Sequence, residues 1–316
     1  MNRSTSLLIH PEELDTVWLD QLEALGVKTL GLHPVGGKRA NETLAAMLNR
    51  FETPEYRRLL DEAERRGIEV TCEMHALRYL LPADALAAHP QWRRVNAQGE
   101  RAADWNLCPS CGEALDYLSE SAARLYARLP GRPKRISLWL DDSQDAFCHC
   151  DKCRSLSPSD QQMIVLNAML RGIRAVRPDA KLAYLAYFET LPAPTRPDLR
   201  DGLYLEFAPY KRDLTRPLDD PDCEANRRET EHLRSLLAFF GAEDATALDY
   251  WFDNSLLSRY TKPPQRLVPH PGVVKADMAF YRRLGFERIS SFACYLGADY
   301  RALYGLPKLD SFAEGA

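Results

Sequence analysis

The chain has 316 residues, 45% of them apolar and 27% charged, with 41 basic residues against 45 acidic ones and a net charge of −4. That length exceeds a typical single domain but suits an eight-stranded α/β barrel, and the apolar share is enough for a large core. Absence of a basic excess or a Lys/Arg stripe excludes a nucleic-acid partner, and no uninterrupted apolar stretch approaches the length of a membrane span.

The opening MNRSTSLLIHPEELDTVW has an apolar run of only three residues, too short for a signal-peptide core, so a cytoplasmic location is expected. Residues 6–10 read as the first strand and 11–25 as a helix, with Gly26 where a left-handed cap is wanted. Strand 27–33 follows, then helix 54–66 closed by Gly67, then strand 68–75. An irregular stretch, 76–111, precedes helix 112–129 and strand 135–142. Residues 143–158 are again irregular, and helix 159–176 leads to strands 181–187 and 202–207. Beyond the irregular 208–221 come helix 222–240, strand 246–251, helix 273–284 with Gly285 past its end, and strand 288–294. Eight β/α alternations without a low-complexity linker predict an α/β fold, a single (β/α)8 TIM-type barrel domain over residues 1–316 with long βα loops. A doubly wound open sheet is the weaker fit, because no glycine-rich phosphate loop follows the first strand.

Alternate strand residues face the barrel axis. Polarity then predicts an inward set of His33; Thr71, Glu73 and His75; Ser137, Trp139 and Asp141; Tyr204 and Glu206; and Ala247, Asp249 and Trp251. Burying an unpaired carboxylate costs several kcal/mol, so acids and histidines converging at strand ends point to an active site. The competing explanation is buried ionic glue, with Glu73 paired to His75 or Asp249 to an arginine. Asp141 and Asp142 are adjacent, so one faces the axis and the other the rim. Two differently placed carboxylates are what glycoside hydrolysis needs, which makes Asp141, Asp142, Glu206 and Asp249 the catalytic candidates. Trp139, Tyr187, Tyr250 and Trp251 offer flat apolar faces for sugar rings, although aromatics at such positions also fill ordinary cores.

Cys148, Cys150 and Cys153 follow the acid pair with C-x-C-x-x-C spacing, which can aim three thiolates at one tetrahedral ion. Cys108 or Cys111 from the preceding long loop completes the set. A structural zinc ion is the expected cofactor, and in a reducing compartment free thiols are the alternative to it. No organic cofactor is expected.

Leu80-Leu81-Pro82, His89-Pro90, Asn106-Leu107-Cys108, Trp139-Leu140-Asp141-Asp142, the cysteine run, Ser159-Asp160-Gln161, Leu185-Ala186-Tyr187, Leu205-Glu206-Phe207-Ala208-Pro209 and Tyr250-Trp251-Phe252-Asp253 together resemble a bacterial family described as domain of unknown function 4838. The resemblance spans roughly residues 27–304. It implies a glycoside-hydrolase-like TIM barrel, some of whose relatives are endo-β-N-acetylglucosaminidases. Many relatives have a glutamate in the last strand, where this chain reads Ser291-Phe292-Ala293-Cys294-Tyr295. The expected activity is hydrolysis of an oligosaccharide or glycoconjugate, N-acetylhexosamine-containing substrates included, by carboxylate acid/base catalysis. Asp142 is then the acid, and Asp141 orients a substrate acetamido group in a substrate-assisted route. His33, Glu73, His75, Asn106, Trp139, Tyr187, Tyr250, Trp251 and Asp253 are the expected substrate-binding residues. Two alternatives stand beside this reading: a metal-dependent TIM-barrel hydrolase or isomerase with His33, His75 and the acids as ligands, and a non-catalytic carbohydrate-binding barrel.

Overall fold

The computed structural model describes residues 4–143 and 145–314. Eight parallel strands close into a barrel in the order β1-β2-β3-β4-β5-β6-β7-β8. They are Ser4–Ile9, Thr29–Leu32, Glu69–His75, Arg135–Trp139, Lys181–Ala186, Leu203–Phe207, Thr246–Asp249 and Arg288–Phe292. All eight expected strands are present, each ending one to three residues before its apolar pattern does, except β3 and β6, whose last residues coincide with it. Gly26, Gly67 and Gly285 have φ of +70°, +69° and +91°, which L side chains rarely adopt, so each stops its helix as predicted.

Two expected elements take a different form. Helix 222–240 is divided into Glu224–Thr230 and Leu233–Phe240, and the irregular 76–111 carries short helices at Leu77–Leu80 and Ala83–Ala88. Within that stretch, isolated bridges join Arg93 to Leu107 and Val95 to Arg101. Among the described residues, no helix is long and apolar enough to cross a membrane.

Contacts divide the chain into two compact units. The first comprises Met1–His33, Glu52–Thr71 and Leu205–Ala316, the second Pro34–Phe51 and Cys72–Tyr204. In the first, Glu206 is in register with Thr246, Leu248 with Ser290, and Ser290 with Ser6, whose hydroxyl lies 2.9 Å from that of Ser290. Residues in register share a face, so Glu206, Leu248 and Ser290 point one way and Asp249 the other. The Tyr281 hydroxyl donates to Asp249 at 2.8 Å from the helix Pro271–Arg283, which links β7 to β8. Asp249 therefore faces the helices, and Glu206 faces the axis.

In the second unit, Glu73 is in register with Ser137 and His75 with Trp139. The hydroxyls of Ser137 on β4 and Tyr204 on β6 lie 3.3 Å apart, past the intervening β5, which places this face on the axis. Helices Gly112–Ala127 and Pro158–Val176 pack against each other, the second also against β5, and a Cβ on Gly172 would sit 1.8 Å from the Ser119 carbonyl oxygen. Only glycine permits that approach.

Candidate active site

Strand β4 ends at Trp139, and the chain turns through Leu140, Asp141 and Asp142 into a small cleft with a cavity volume of about 40 Å³. Its wall is formed by His75 at the end of β3, Asn106, the two aspartates, and Tyr187 and Glu189 just beyond β5. All belong to the second unit. The loops that follow strand C-termini thus supply the site, as the barrel architecture leads one to expect.

The two aspartates have different fates. The Asp141 side chain is 1% exposed, and both its oxygens are held by Arg78: Nε donates to Oδ1 at 2.7 Å and Nη2 to Oδ2 at 3.1 Å. The Arg78 guanidinium stacks 4.1 Å from the centre of the Trp105 ring. Asn106 fixes the backbone on the other side, accepting from the Asp141 N–H at 3.1 Å. A bidentate pair of this kind is strong and directional, and it fixes the Asp141 carboxylate in place while each oxygen keeps a second lone pair. Asp142 is exposed, with one oxygen accepting from the Tyr187 hydroxyl at 3.2 Å.

The remaining cleft groups are held in place from behind. His75 Nδ1 donates to the Leu140 carbonyl, 2.7 Å away, which fixes the ring beside the cleft. Its ring packs edge-on to Trp139, which is itself buried beneath it, and a Cβ on Gly36 would lie 3.0 Å from the imidazole. Glu189 accepts from the Asp145 N–H at 3.4 Å. Asp145 and Phe188 at the cleft have φ of +50° and +49°, a strained backbone often retained at functional sites.

A thiol cluster lies in the same loops. The sulfurs of Cys108, Cys148, Cys150 and Cys153 all fall within 4.8 Å of one another, with Cys108 at 3.7 Å from both Cys150 and Cys153. Four thiolates around zinc at about 2.3 Å stand roughly 3.8 Å apart, whereas a disulfide needs about 2.05 Å. The donor set therefore fits a tetrahedral metal ion, with Cys108 rather than Cys111 as the fourth ligand. A hydrogen bond from the Cys108 thiol, together with the Val95 and Cys150 amides, pulls the Cys148 pKa down to about 4. Gln161 accepts from the Cys148 N–H at 2.8 Å and donates to the carbonyls of Cys148, Cys153 and Leu156, so the loop is braced by the helix after it. Among the described residues, no other group of three or more His, Cys, Asp or Glu side chains gathers closely enough to hold an ion, and His33 and His75 belong to none.

In the first unit, the register corrects the reading of β7. Asp249 is fully buried, accepting from Arg212 Nη1 at 2.7 Å, and Arg212 Nη2 lies 2.6 Å from Asp277. Trp251 Nε1 donates to Asp277 at 2.8 Å. Asp249 is thus sealed against the helix layer, and the Trp251 indole N–H is committed to Asp277. Burial, with Asp249 adding repulsion, pushes the Asp277 pKa up to about 6. Asp253 is also committed, capping the helix Asn254–Leu257 through the Ser255 N–H at 3.0 Å. Tyr250 faces the axis, stacked on Phe292 at 5.0 Å.

Several site groups have no counterpart in the sequence reading. Arg78 in the short helix Leu77–Leu80, Glu189 in a single helical turn after β5 and Arg212 in the loop after β6 lie where no periodicity marks them. His10 is different: it ends β1 as His33 ends β2, and that parallel is legible. His10 Nδ1 lies 2.7 Å from the His33 carbonyl, and its backbone N–H donates to the buried Glu13 at 3.1 Å.

The profile of the family described as Domain of unknown function (DUF4838) matches residues 42–238, well over half of the chain. The chain belongs to the DUF4838 family. The match takes in the cleft at β4 and the four-cysteine cluster of this DUF4838 protein. No curated protein shows significant sequence similarity to it. Similar solved structures include a β-galactosidase from the psychrophilic Marinomonas ef1, at 12% identity and a TM-score of 0.57 over 91% of this chain and 53% of that one. An α-galactosidase from Geobacillus stearothermophilus matches at 10% identity and 0.54, over 99% and 41%. A variant of the Thermobaculum terrenum O-GlcNAc hydrolase matches at 12% and 0.51, over 99% and 58%. The chain therefore spans about half the length of the solved structures it resembles, and the likeness is one of fold.

Proposed function

We propose that this DUF4838 protein hydrolyses a glycosidic bond, with the cleft at the end of β4 as a sugar site and Asp142 as the proton-transferring group. The observation that carries the reading is the exposed Asp142 carboxylate, held by the Tyr187 hydroxyl beside a neighbour that Arg78 has fixed. A glycosidic oxygen needs a proton as it leaves, and the anomeric carbon needs a second carboxylate to attack it or to activate water. Glu189, in the cleft wall, is the second carboxylate that the cleft itself offers for that role. His75, Tyr187 and Asn106 line the cleft beside Asp142 and give it a polar wall suited to sugar hydroxyls. The fold shared with two galactosidases and an O-GlcNAc hydrolase supports a carbohydrate substrate, either an oligosaccharide or a glycoconjugate, N-acetylhexosamine-containing ones included.

The cysteine cluster, on this reading, holds a structural zinc ion. Its role is to fasten the loop bearing Asn106 to the loop bearing Ala146 and Phe147, both of which line the cleft.

A panel of chromogenic galactosides and N-acetylhexosaminides tests the activity. Turnover by the wild type, lost in Asp142→Asn and in Glu189→Gln, is the expected pattern. Sugar binding by calorimetry without any turnover would favour a non-catalytic carbohydrate-binding barrel, a reading that the Ser291-Phe292 ending of β8 permits.

A further inference from the structure

We infer that Cys111 is a thiol-modification site whose substrate is a low-molecular-weight disulfide. Its reaction closes a Cys108–Cys111 bond and dismantles the four-thiol metal site, so the inference rests on the structural-zinc reading. Five cysteines meet here, one more than a tetrahedral ion takes. The sulfurs of Cys108, Cys148, Cys150 and Cys153 form the donor set, and Cys111 packs against that set from outside it. Cys108, Cys148 and Cys153 are buried, whereas Cys111 is half-buried. Cys111 occupies the N-cap of the helix Gly112–Ala127, yet its side chain makes no capping hydrogen bond. It is thus the thiol of this cluster that belongs neither to the donor set nor to the helix cap, and it is partly open to solvent.

Backbone geometry names its partner. The Cys111 N–H donates to the Cys108 carbonyl at 3.0 Å, which closes Cys108-Pro109-Ser110-Cys111 as a tight turn. The ends of such a turn stand within about 7 Å, Cα to Cα, and a disulfide spans about 4.4–6.8 Å. The chemistry is thiol–disulfide exchange. The Cys111 thiolate attacks one sulfur of the small disulfide RSSR, forming a mixed disulfide and expelling RS⁻. The Cys108 thiolate then attacks the Cys111 sulfur, and the second RS⁻ leaves. The expelled groups take up the protons that the protein thiols gave up, so two Cys–SH and RSSR become one Cys–S–S–Cys and two RSH. In the second step Cys108 gives up its place on the ion. The new bond lies within one segment, so it cannot replace the tie that the ion makes between the loop of Cys108 and the loop of Cys148, Cys150 and Cys153. Asn106, two residues before Cys108, accepts from the Asp141 N–H at 3.1 Å, so the segment set loose is one that holds the acid pair of the cleft.

The test adds oxidised glutathione to the zinc-loaded full chain and follows zinc release with a chromogenic chelator. The tryptic peptide 102–124, which carries both Cys108 and Cys111, is weighed before and after. From the wild type, zinc release is expected together with a peptide lighter by two hydrogen atoms. Cys111→Ser, with Cys111→Ala as a second form, should bind zinc and melt like the wild type. Both should release zinc at least roughly tenfold more slowly, because the attacking thiol is gone. Release as fast from both variants, or a disulfide mapped to another pair, overturns the inference. Zinc missing from the untreated Cys111 variants would make Cys111 a ligand and overturns it as well. A wild type that takes up no zinc removes the zinc reading instead. The peptide then decides the modification site by itself: its bridged form upholds Cys111 as that site, and its unbridged form overturns it.

Discussion

Two clusters of this molecule join arginine to aspartate near strand ends, and they differ in what water can reach. At the end of β4, Arg78 takes both oxygens of Asp141 and leaves the next residue, Asp142, exposed in a cleft. Near the end of β7, Arg212 bridges Asp249 and Asp277, and all three side chains are 0% exposed. The same residue types thus build a site in one region and a fastening in the other. The arginine serves structure in both. The difference lies in whether a second carboxylate is left outside the pair, facing solvent where a substrate can enter.

The comparison is broken most forcefully at Arg212. Arg212→Met leaves two carboxylates buried with their cation gone, and removal of one partner from a buried ionic group costs about 3–5 kcal/mol. Urea unfolding should report a loss of that size. Arg78→Met should cost less, because Asp141 lies next to an open cleft and can be rehydrated. Equal losses in the two variants would mean that solvent access is not what separates the regions.

Activity should show the reverse order. Asp142→Asn is expected to lower kcat by at least about 100-fold, within the usual range for a lost general acid or base. Its stability should stay within about 0.5 kcal/mol of wild type, as for other exposed positions. Asp249→Asn should instead lower stability and leave kcat of the surviving folded protein near wild type. Steady-state kinetics beside a melting curve for each variant reads both halves of the contrast.

A third test concerns the thiols that brace the cleft. Cys150→Ser should lower the bound zinc and the melting temperature together, because metal ligation contributes directly to folding. Metal analysis of the purified protein, paired with scanning calorimetry before and after chelation, makes the measurement. A chelated protein of unchanged stability would remove the zinc from the account.

The barrel was legible in the sequence because strand and helix periods alternate eight times, and glycines mark the helix ends. The cleft was legible in part. Asp142, His75, Asn106 and Tyr187 fall where the chain leaves its strands, and the C-x-C-x-x-C spacing with Cys108 names the four thiols that meet. Direction on β7 was not legible. An acid next to a leucine was read as facing the axis, but Leu248 faces the axis and Asp249 the helices. That choice depends on Arg212, 37 residues away in an irregular loop. A sequence shows that a buried acid needs a cation without showing where the cation comes from. For the same reason the adjacent pair Asp141-Asp142 could not be divided into a held residue and a free one until Arg78 was seen to take the first.

The smallest expected effect is a slope. Asp277 has its pKa raised to about 6 in the folded protein, through burial first and the neighbouring Asp249 second, from an ordinary carboxylate value near 3.8. Between those two values the folded state holds a proton that the unfolded state has released. Stability therefore falls as pH rises through this window, by at most about 1.4 kcal/mol per pH unit from this group, and levels off above it. Asp277→Asn mimics the protonated side chain in shape and cannot ionise. Its difference in unfolding free energy from wild type should drift in the variant's favour as pH increases from about 4 to about 6, then stay constant to pH 8. Urea midpoints measured at half-unit intervals resolve that drift. A difference independent of pH across the whole range would show that Asp277 stays charged in the folded protein, and that Arg212 satisfies both of its carboxylates at once.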